Sequence, residues 1–313
     1  MGESVSKQGE ALSKDNTVIY KGFAILIIMI CHFVGKFGNG ITWFTPLGGI
    51  GVSIFLILSG YGLTVSWSKS GYKCWWRKSI ISVWIPYILM QMFTFWPFRN
   101  LLSLDFVLDI TCLNTYYWYV SYNVLWYILF YIVMRIGFLS RYKTVVFLMF
   151  AIISFIVFCN ISPIRAEQSL SFPIGVIFAE LKLKDKEIKI FRLPHSIVIV
   201  FIGVLFLAFK QLSFIRNSPV YLFYTVELIV KLFIAVGSIG IIFFVLKFIS
   251  LKPLTWLGTI SYELYLVHYF VFEHVDNNLY GMIIFVVASL AGAFLFWLVI
   301  EKTKKYQKML LRV

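Results

Sequence analysis

Long apolar runs, most of them close to the length of helix that crosses a bilayer, alternate along this chain with short polar and basic segments. About 20 apolar residues of helix span the hydrocarbon core. By that measure, runs lie at 18–35, 47–67, 79–97, 118–138, 144–160, 170–182, 194–213, 221–247, 256–275 and 280–300. The sixth run is short, and residues 101–117, ahead of the fourth, are amphipathic and suit a surface or re-entrant position. Within lipid only helices and closed barrels satisfy their own backbone. The pattern therefore predicts an all-α fold: a polytopic membrane helical bundle of about ten transmembrane helices. It reads as one domain, residues 18–300, between an N-terminal tail, 1–17, and a C-terminal tail, 301–313. The N-terminal tail lacks the basic start of a cleavable signal, so the first span is expected to remain as an anchor, and no further domain is expected after the tenth.

Composition supports the same picture. Of 313 residues, 60% are apolar and 13% charged, and the mean hydropathy is +0.87, well outside the range of a soluble domain. The net charge of +14 would suit a nucleic-acid partner, but its distribution argues against one. Lys69, Lys73, Arg77 and Lys78 fall after the second run; Arg135, Arg141 and Lys143 at or after the end of the fourth; Lys182, Lys184, Lys186, Lys189 and Arg192 at or after the end of the sixth; Lys302, Lys304, Lys305, Lys308 and Arg312 after the tenth. The alternate segments hold few basic residues, among them Lys36, Arg99, Arg165, Lys210 and Arg216. By the positive-inside rule both termini are cytoplasmic. The charge then reflects topology and contact with membrane lipids, with part left over for an anionic cytosolic cofactor. Cys31, Cys74, Cys112 and Cys159 show no metal-ligand spacing, and no metal is expected. Cys112 and Cys159 both fall near the outer face, where a disulfide is conceivable.

Several polar residues interrupt the runs. In YKGFAILIIMICHF, residues 20–33, Lys21 and His32 are separated by about 16 Å of helix and almost three turns, so they share one face. Lys21 read alone is a snorkelling interfacial lysine. His32 is either a packing histidine bonded to a neighbouring helix or a proton-transfer group. In GVSIFLILSGYGL, residues 51–63, Ser59, Gly60 and Gly62 permit close helix approach or a local break. Arg77 and Lys78 lead into the third run, as ordinary positive-inside anchors or as phosphate ligands. In WLGTISYELYLVHYF, residues 256–270, Ser261, Tyr265 and His268 fall on one helical stripe, which should face protein or a water-filled cavity. Glu227 and Lys231 are spaced for an internal ion pair, structural or part of a relay. His195 and His274 fall at span ends and need no special role.

These segments, taken in order, resemble the membrane-bound acyltransferase 3 family of ten-helix bacterial O-acyltransferases. The first span resembles that family's opening helix, with its basic residue and histidine separated by ten others. GVSIFLILSGYGL resembles its second-helix motif, RKSIISVWIPYIL its basic lead into Ile-x-Pro, LWYILFYIV its Trp-led helix, and LGTISYELYLVH its late Ser-Tyr…His segment. Two departures stand out. Lys21 takes the place of a frequent arginine, and the fourth span lacks the acids some members carry after the tryptophan.

The resemblance implies a bacterial cytoplasmic-membrane enzyme, an O-acetyltransferase by preference. It would use acyl-CoA (acetyl-CoA) as co-substrate rather than a tightly bound cofactor. The acceptor would be an extracytoplasmic or lipid-linked glycan, with glycan-assembly proteins as possible partners. It implies His32 as the catalytic residue, acting as general base or transient acyl carrier. Lys21, Arg77 and Lys78 would bind the donor, and Ser261, Tyr265 and His268 would orient the acceptor or stabilise an oxyanion. Ser59, Gly60, Tyr61 and Trp126 would pack the bundle or line a channel. From the residues alone, a transporter or flippase for a lipid-linked saccharide is a second reading, because broken helices and buried charges serve it too.

Overall fold

A computed structural model of the chain describes residues 10–38, 40–41, 44–71, 80–95, 104–111 and 117–310. Regular structure among the described residues is helical throughout. The principal helices are α1 (Lys14–Phe37), α2 (Thr45–Ser70), α3 (Ile85–Phe95), α4 (Leu104–Ile110), α5 (Trp118–Arg135) and α6 (Lys143–Ile161). They continue with α7 (Ser171–Leu183), α8 (Leu193–Phe209), α9 (Val220–Val245), α10 (Lys252–Thr259), α11 (Ser261–His274) and α12 (Leu279–Leu310).

Five of these, within Lys14–Phe37, Thr45–Lys69, Lys143–Ile161, Val220–Val245 and Leu279–Thr303, are long and apolar enough to cross a membrane; Leu193–Phe209 is a shorter apolar helix. Many large apolar side chains on α6, α8 and α12 face outward, including Ile152, Phe201 and Leu295. An apolar exterior of this extent needs lipid as solvent, and the protein is a membrane protein.

The expected spans and the helices differ in three places. The third run begins with a π-helical turn, Ile80–Trp84, that passes into α3. The ninth, expected as one helix over 256–275, is two: the chain turns at Ile260 between α10 and α11. The tenth does not stop at 300, because α12 runs on to Leu310; nothing in EKTKKYQKML breaks a helix, there being neither glycine nor proline. Helix α1 starts at Lys14, where the Ser13 hydroxyl accepts from the Asn16 amide at 3.2 Å. That is an N-cap which the apolar pattern does not register.

The core forms where helices meet backbone to backbone. Helix α2 packs on α1 and α7, and α1 also packs on α10. At α2–α7, a Cβ on Gly60 would lie 2.2 Å from the Phe172 carbonyl oxygen, and one on Gly175 would lie 2.0 Å from that of Ile57. At α1–α10, Gly22 meets the Leu254 carbonyl at 1.9 Å and Gly258 that of Val18 at 1.8 Å, by the same measure. These reciprocal contacts suit membrane helices, whose association depends on van der Waals packing rather than on a hydrophobic gain. Trp126, fully buried, stacks on Phe172 with ring centroids 5.0 Å apart. Both Gly60 and Trp126 therefore pack the bundle.

Gly175→Val should lower the detergent melting temperature, since overpacking at backbone costs about 1–3 kcal/mol. Gly62→Ala, on an exposed position with open space around it, should leave it unchanged or slightly raised. Equal melting temperatures for the two variants would discount the α2–α7 contact.

Candidate functional site

The close α1–α10 contact and the turn at Ile260 bring α11 alongside α1. His32 then meets His268 with ring centroids 5.2 Å apart, Phe272 at 5.2 Å and Tyr269 at 6.1 Å. Lower on the same two helices, buried Glu263 lies close enough to Lys21 for their charges to attract. Lys36, one turn beyond His32, donates to the Phe272 carbonyl and sits over that ring, so α1 and α11 are tied at both ends.

Helices α1 and α11 border two cavities. A wide one of about 550 Å³ is lined by Cys31, His32, Trp118, Tyr224, Tyr265 and Tyr269, with Glu167, Lys210, Glu227 and Lys231 along another wall. A narrow one of about 180 Å³ is lined by Lys21, Ser59, Asn123, Tyr127, Ser261 and Tyr265, with Tyr119 and Tyr262. Tyr265 borders both. Its ring packs edge-on to Tyr119 at 5.2 Å and lies 5.7 Å from His268. The narrow space is below the roughly 300–1,000 Å³ of ordinary small-molecule pockets, so it accommodates a slender arm rather than a bulky head group. Around it the Tyr262 hydroxyl donates to the Val83 carbonyl at 2.9 Å, fixing α11 to the turn before α3. Near the wide cavity the Tyr117 hydroxyl donates to the Leu266 carbonyl at 2.9 Å.

His268 is fully buried, and its Nδ1 lies 2.9 Å from the Leu264 carbonyl oxygen. A carbonyl only accepts, so Nδ1 carries the proton and Nε2 is left as a bare acceptor. That Nε2 is buried and has no hydrogen-bond partner among the described residues. A lone-pair nitrogen beside a second imidazole can hold the N–H of its neighbour, which leaves the neighbour's other nitrogen free to take a proton.

Of the residues singled out in the sequence, His32 and Tyr265 line the wide cavity, with buried His268 packed against both rings, and Lys21, Ser59, Ser261 and Tyr265 line the narrow one. Tyr61 stands apart. Its hydroxyl reaches Glu10 at 3.3 Å, beside Lys182, near the start of α1. Arg77, Lys78 and the cysteines Cys74 and Cys112 lie outside the described residues, so the Cys112–Cys159 pairing does too; Cys159 is buried and has no disulfide partner among the described residues. His195 and His274 are exposed.

Sequence reading missed the extent of the ionic network. Glu227 and Lys231 are 3.4 Å apart, as their spacing suggested, but Lys231 also bonds Glu167, and Glu227 bonds Lys210 at 2.6 Å. Glu167 and Lys210 come from loops remote in sequence, and nothing local marked them. Glu263 was missed as well, although it stands within SYELY between Ser261 and Tyr265.

The fold and these cavities define a membrane-embedded helical protein that holds two neighbouring chambers, one basic and narrow, one histidine-bearing and wide, inside its bundle. An acyltransferase-domain model, that of the acyltransferase 3 family, matches residues 19–302, and the chain belongs to that family. No curated protein and no solved structure gives a significant match. Of the two classes the residues alone left open, family membership supports the membrane acyltransferase.

The tautomer of His268 is open to direct test. In protein carrying ¹⁵N-histidine, with His268→Gln used to assign the resonance, the shifts of His268 should report a protonated Nδ1 and a bare Nε2 at neutral pH. A protonated Nε2 would mean that the Leu264 bond is not formed and that His268 cannot act as an acceptor.

Proposed function

We propose that this chain is an integral-membrane O-acyltransferase of the bacterial cytoplasmic membrane, crossing it about ten times with both termini in the cytoplasm. It takes an acyl group, acetyl before any other, from cytoplasmic acyl-CoA and sets it on a hydroxyl of a cell-surface glycan or lipid-linked sugar. The observation that carries this reading is the arrangement of two chambers on one pair of helices, with the basic side chain of Lys21 in one, the imidazole of His32 in the other, and Tyr265 bordering both.

The narrow chamber receives the thioester arm of the donor. Lys21 supplies positive charge there, while the donor's nucleotide stays outside, where Arg77 and Lys78 are suited to its phosphates. The wide chamber receives the acceptor. His32 takes the proton of the acceptor hydroxyl as that oxygen attacks the thioester carbonyl. The Tyr265 hydroxyl and, one turn earlier on the same helix, Ser261 are the groups suited to donate to the developing oxyanion. The C–S bond then breaks, the acyl group stays on oxygen, and the proton passes from His32 to the departing thiolate. The bare Nε2 of His268, beside the His32 ring with centroids 5.2 Å apart, is the acceptor suited to take up the second N–H of His32 during this cycle. Buried aromatic walls keep bulk water from the thioester. Direct transfer fits better than an acyl-imidazole, because His32 lines the acceptor's chamber rather than the donor's.

In proteoliposomes given radiolabelled acetyl-CoA, His32→Ala should cut CoA release about 100-fold or more, with an unchanged melting temperature. A rate within twofold of wild type would move the base elsewhere, and an absence of thioester turnover in the wild-type protein with any glycan acceptor would overturn the acyl-CoA reading.

Lys21→Met in a Glu263→Gln background removes the buried charge pair together, which avoids leaving one charge unpaired. It should raise the KM for acetyl-CoA about tenfold, whereas Lys21→Arg should keep it near wild type. An unaltered donor KM in the neutralised variant would remove Lys21 from donor binding.

A further inference from the structure

Part of the wall of the wide chamber is ionic, and the acyl-transfer step makes no use of it. Lys210 reaches Glu227 at 2.6 Å, Glu227 reaches Lys231 at 3.4 Å, and Lys231 bonds Glu167. The four groups form one alternating row that joins the loop after α8, two positions on α9 and the segment ahead of α7. Glu167, Glu227 and Lys231 are buried, yet all four line the same cavity as His32. Helix α2 is shaped for the row: a Cβ on Gly49 would lie 2.6 Å from Cε of Lys231, so the glycine leaves room for the lysine stem.

Two features of the row bear on what it can bind. First, it is balanced, two carboxylates against two ammoniums, and each ammonium already has a carboxylate partner. A ligand that brought a charge of its own would have to break a pair and leave a buried ion uncompensated, which is expensive at this depth. Second, each carboxylate keeps lone pairs and each ammonium keeps N–H groups beyond those used in the row. Such a strip offers alternating acceptors and donors to a ligand dense in hydroxyls. The remaining walls supply flat rings, Trp118, Tyr224 and Tyr269, suited to the C–H faces of a saturated ring.

We propose that the Lys210–Glu227–Lys231–Glu167 row is the specificity element for the acceptor, and that it selects an uncharged polyhydroxylated ring, a neutral pyranoside, over a uronate or phosphorylated sugar. This rests on the reading of the wide chamber as the acceptor's side. A row that served only to hold helices together would be expected to close on itself without bordering a cavity of this size.

The test is saturation-transfer NMR on the full-length protein in detergent. The probes are methyl β-D-glucopyranoside, methyl β-D-galactopyranoside and methyl β-D-glucuronopyranoside. At least one neutral glycoside should give a signal, with the uronide about tenfold weaker. The double variant Glu167→Gln/Lys231→Met neutralises one pair without orphaning a charge, and it should lose the neutral glycoside's signal while keeping a cooperative thermal transition. The proposal is overturned if neither neutral glycoside binds, if the uronide matches or exceeds them, or if the folded double variant binds as wild type does. Should that variant fail to fold, the wild-type comparison of neutral with uronide decides alone. Glycoside binding is measured without acyl-CoA. A protein that binds neutral sugars but turns over no thioester would refute the donor assignment and leave this one standing.

Discussion

Helix α1 and the segment at α10–α11 touch through their backbones. The carbonyls of Val18 and Leu254 occupy the places where side chains on Gly258 and Gly22 would begin, and from that contact the rest of the site follows. A helix held so close to α1 cannot continue straight without leaving it. The chain turns at Ile260, and α11 then runs along α1 far enough to set Glu263 against Lys21 and His268 against His32. Larger residues at the contact would separate the helices and the two pairs together.

Lipid imposes the complementary constraint. With no water to solvate a stray donor or acceptor, polar groups in the bundle must find one another or face a cavity. Ser53 donates to Gln168 at 2.6 Å, Gln168 donates to the Gly49 carbonyl at 3.0 Å, and Tyr122 pairs with Ser154 at 2.9 Å. These bonds join helices and go no further. The groups that border space instead, His32, Tyr265, Ser261 and the lysine–glutamate row, are the ones with capacity to spare for a substrate. Among these side chains, those bonded to one another join parts of the bundle, and those lining a cavity, with His268 packed against two of them, are the candidates for chemistry.

Much of the fold and part of the site were legible in the sequence. Lys21 and His32 could be placed on one face of one helix by counting turns, and Ser261, Tyr265 and His268 on one stripe of another, because helical periodicity is local. The small residues of the second span announced a close approach, although not its partner, Phe172. The pairing of Glu227 with Lys231 was visible at helical spacing. Its extension to Glu167 and Lys210 was not, since an ion pair between remote segments leaves no local pattern. The break at Ile260 was hidden for a related reason. Gly258, two residues earlier and engaged in the close contact with Val18, is the one local mark, and a single glycine does not by itself end a helix.

By itself the sequence determined the solvent and the helical class, and it supplied the groups proposed to react. Hydrophobic run length and residue chemistry are properties of short stretches, and lipid acts on each stretch alone. Tertiary structure alone decided which groups meet: that His268 presents a bare nitrogen beside His32, that Tyr265 stands between two chambers, and that four charges from three distant segments make one wall. Those facts depend on the distance between helices, which is set by how closely backbones can approach, and no single stretch of sequence contains both sides of such a contact.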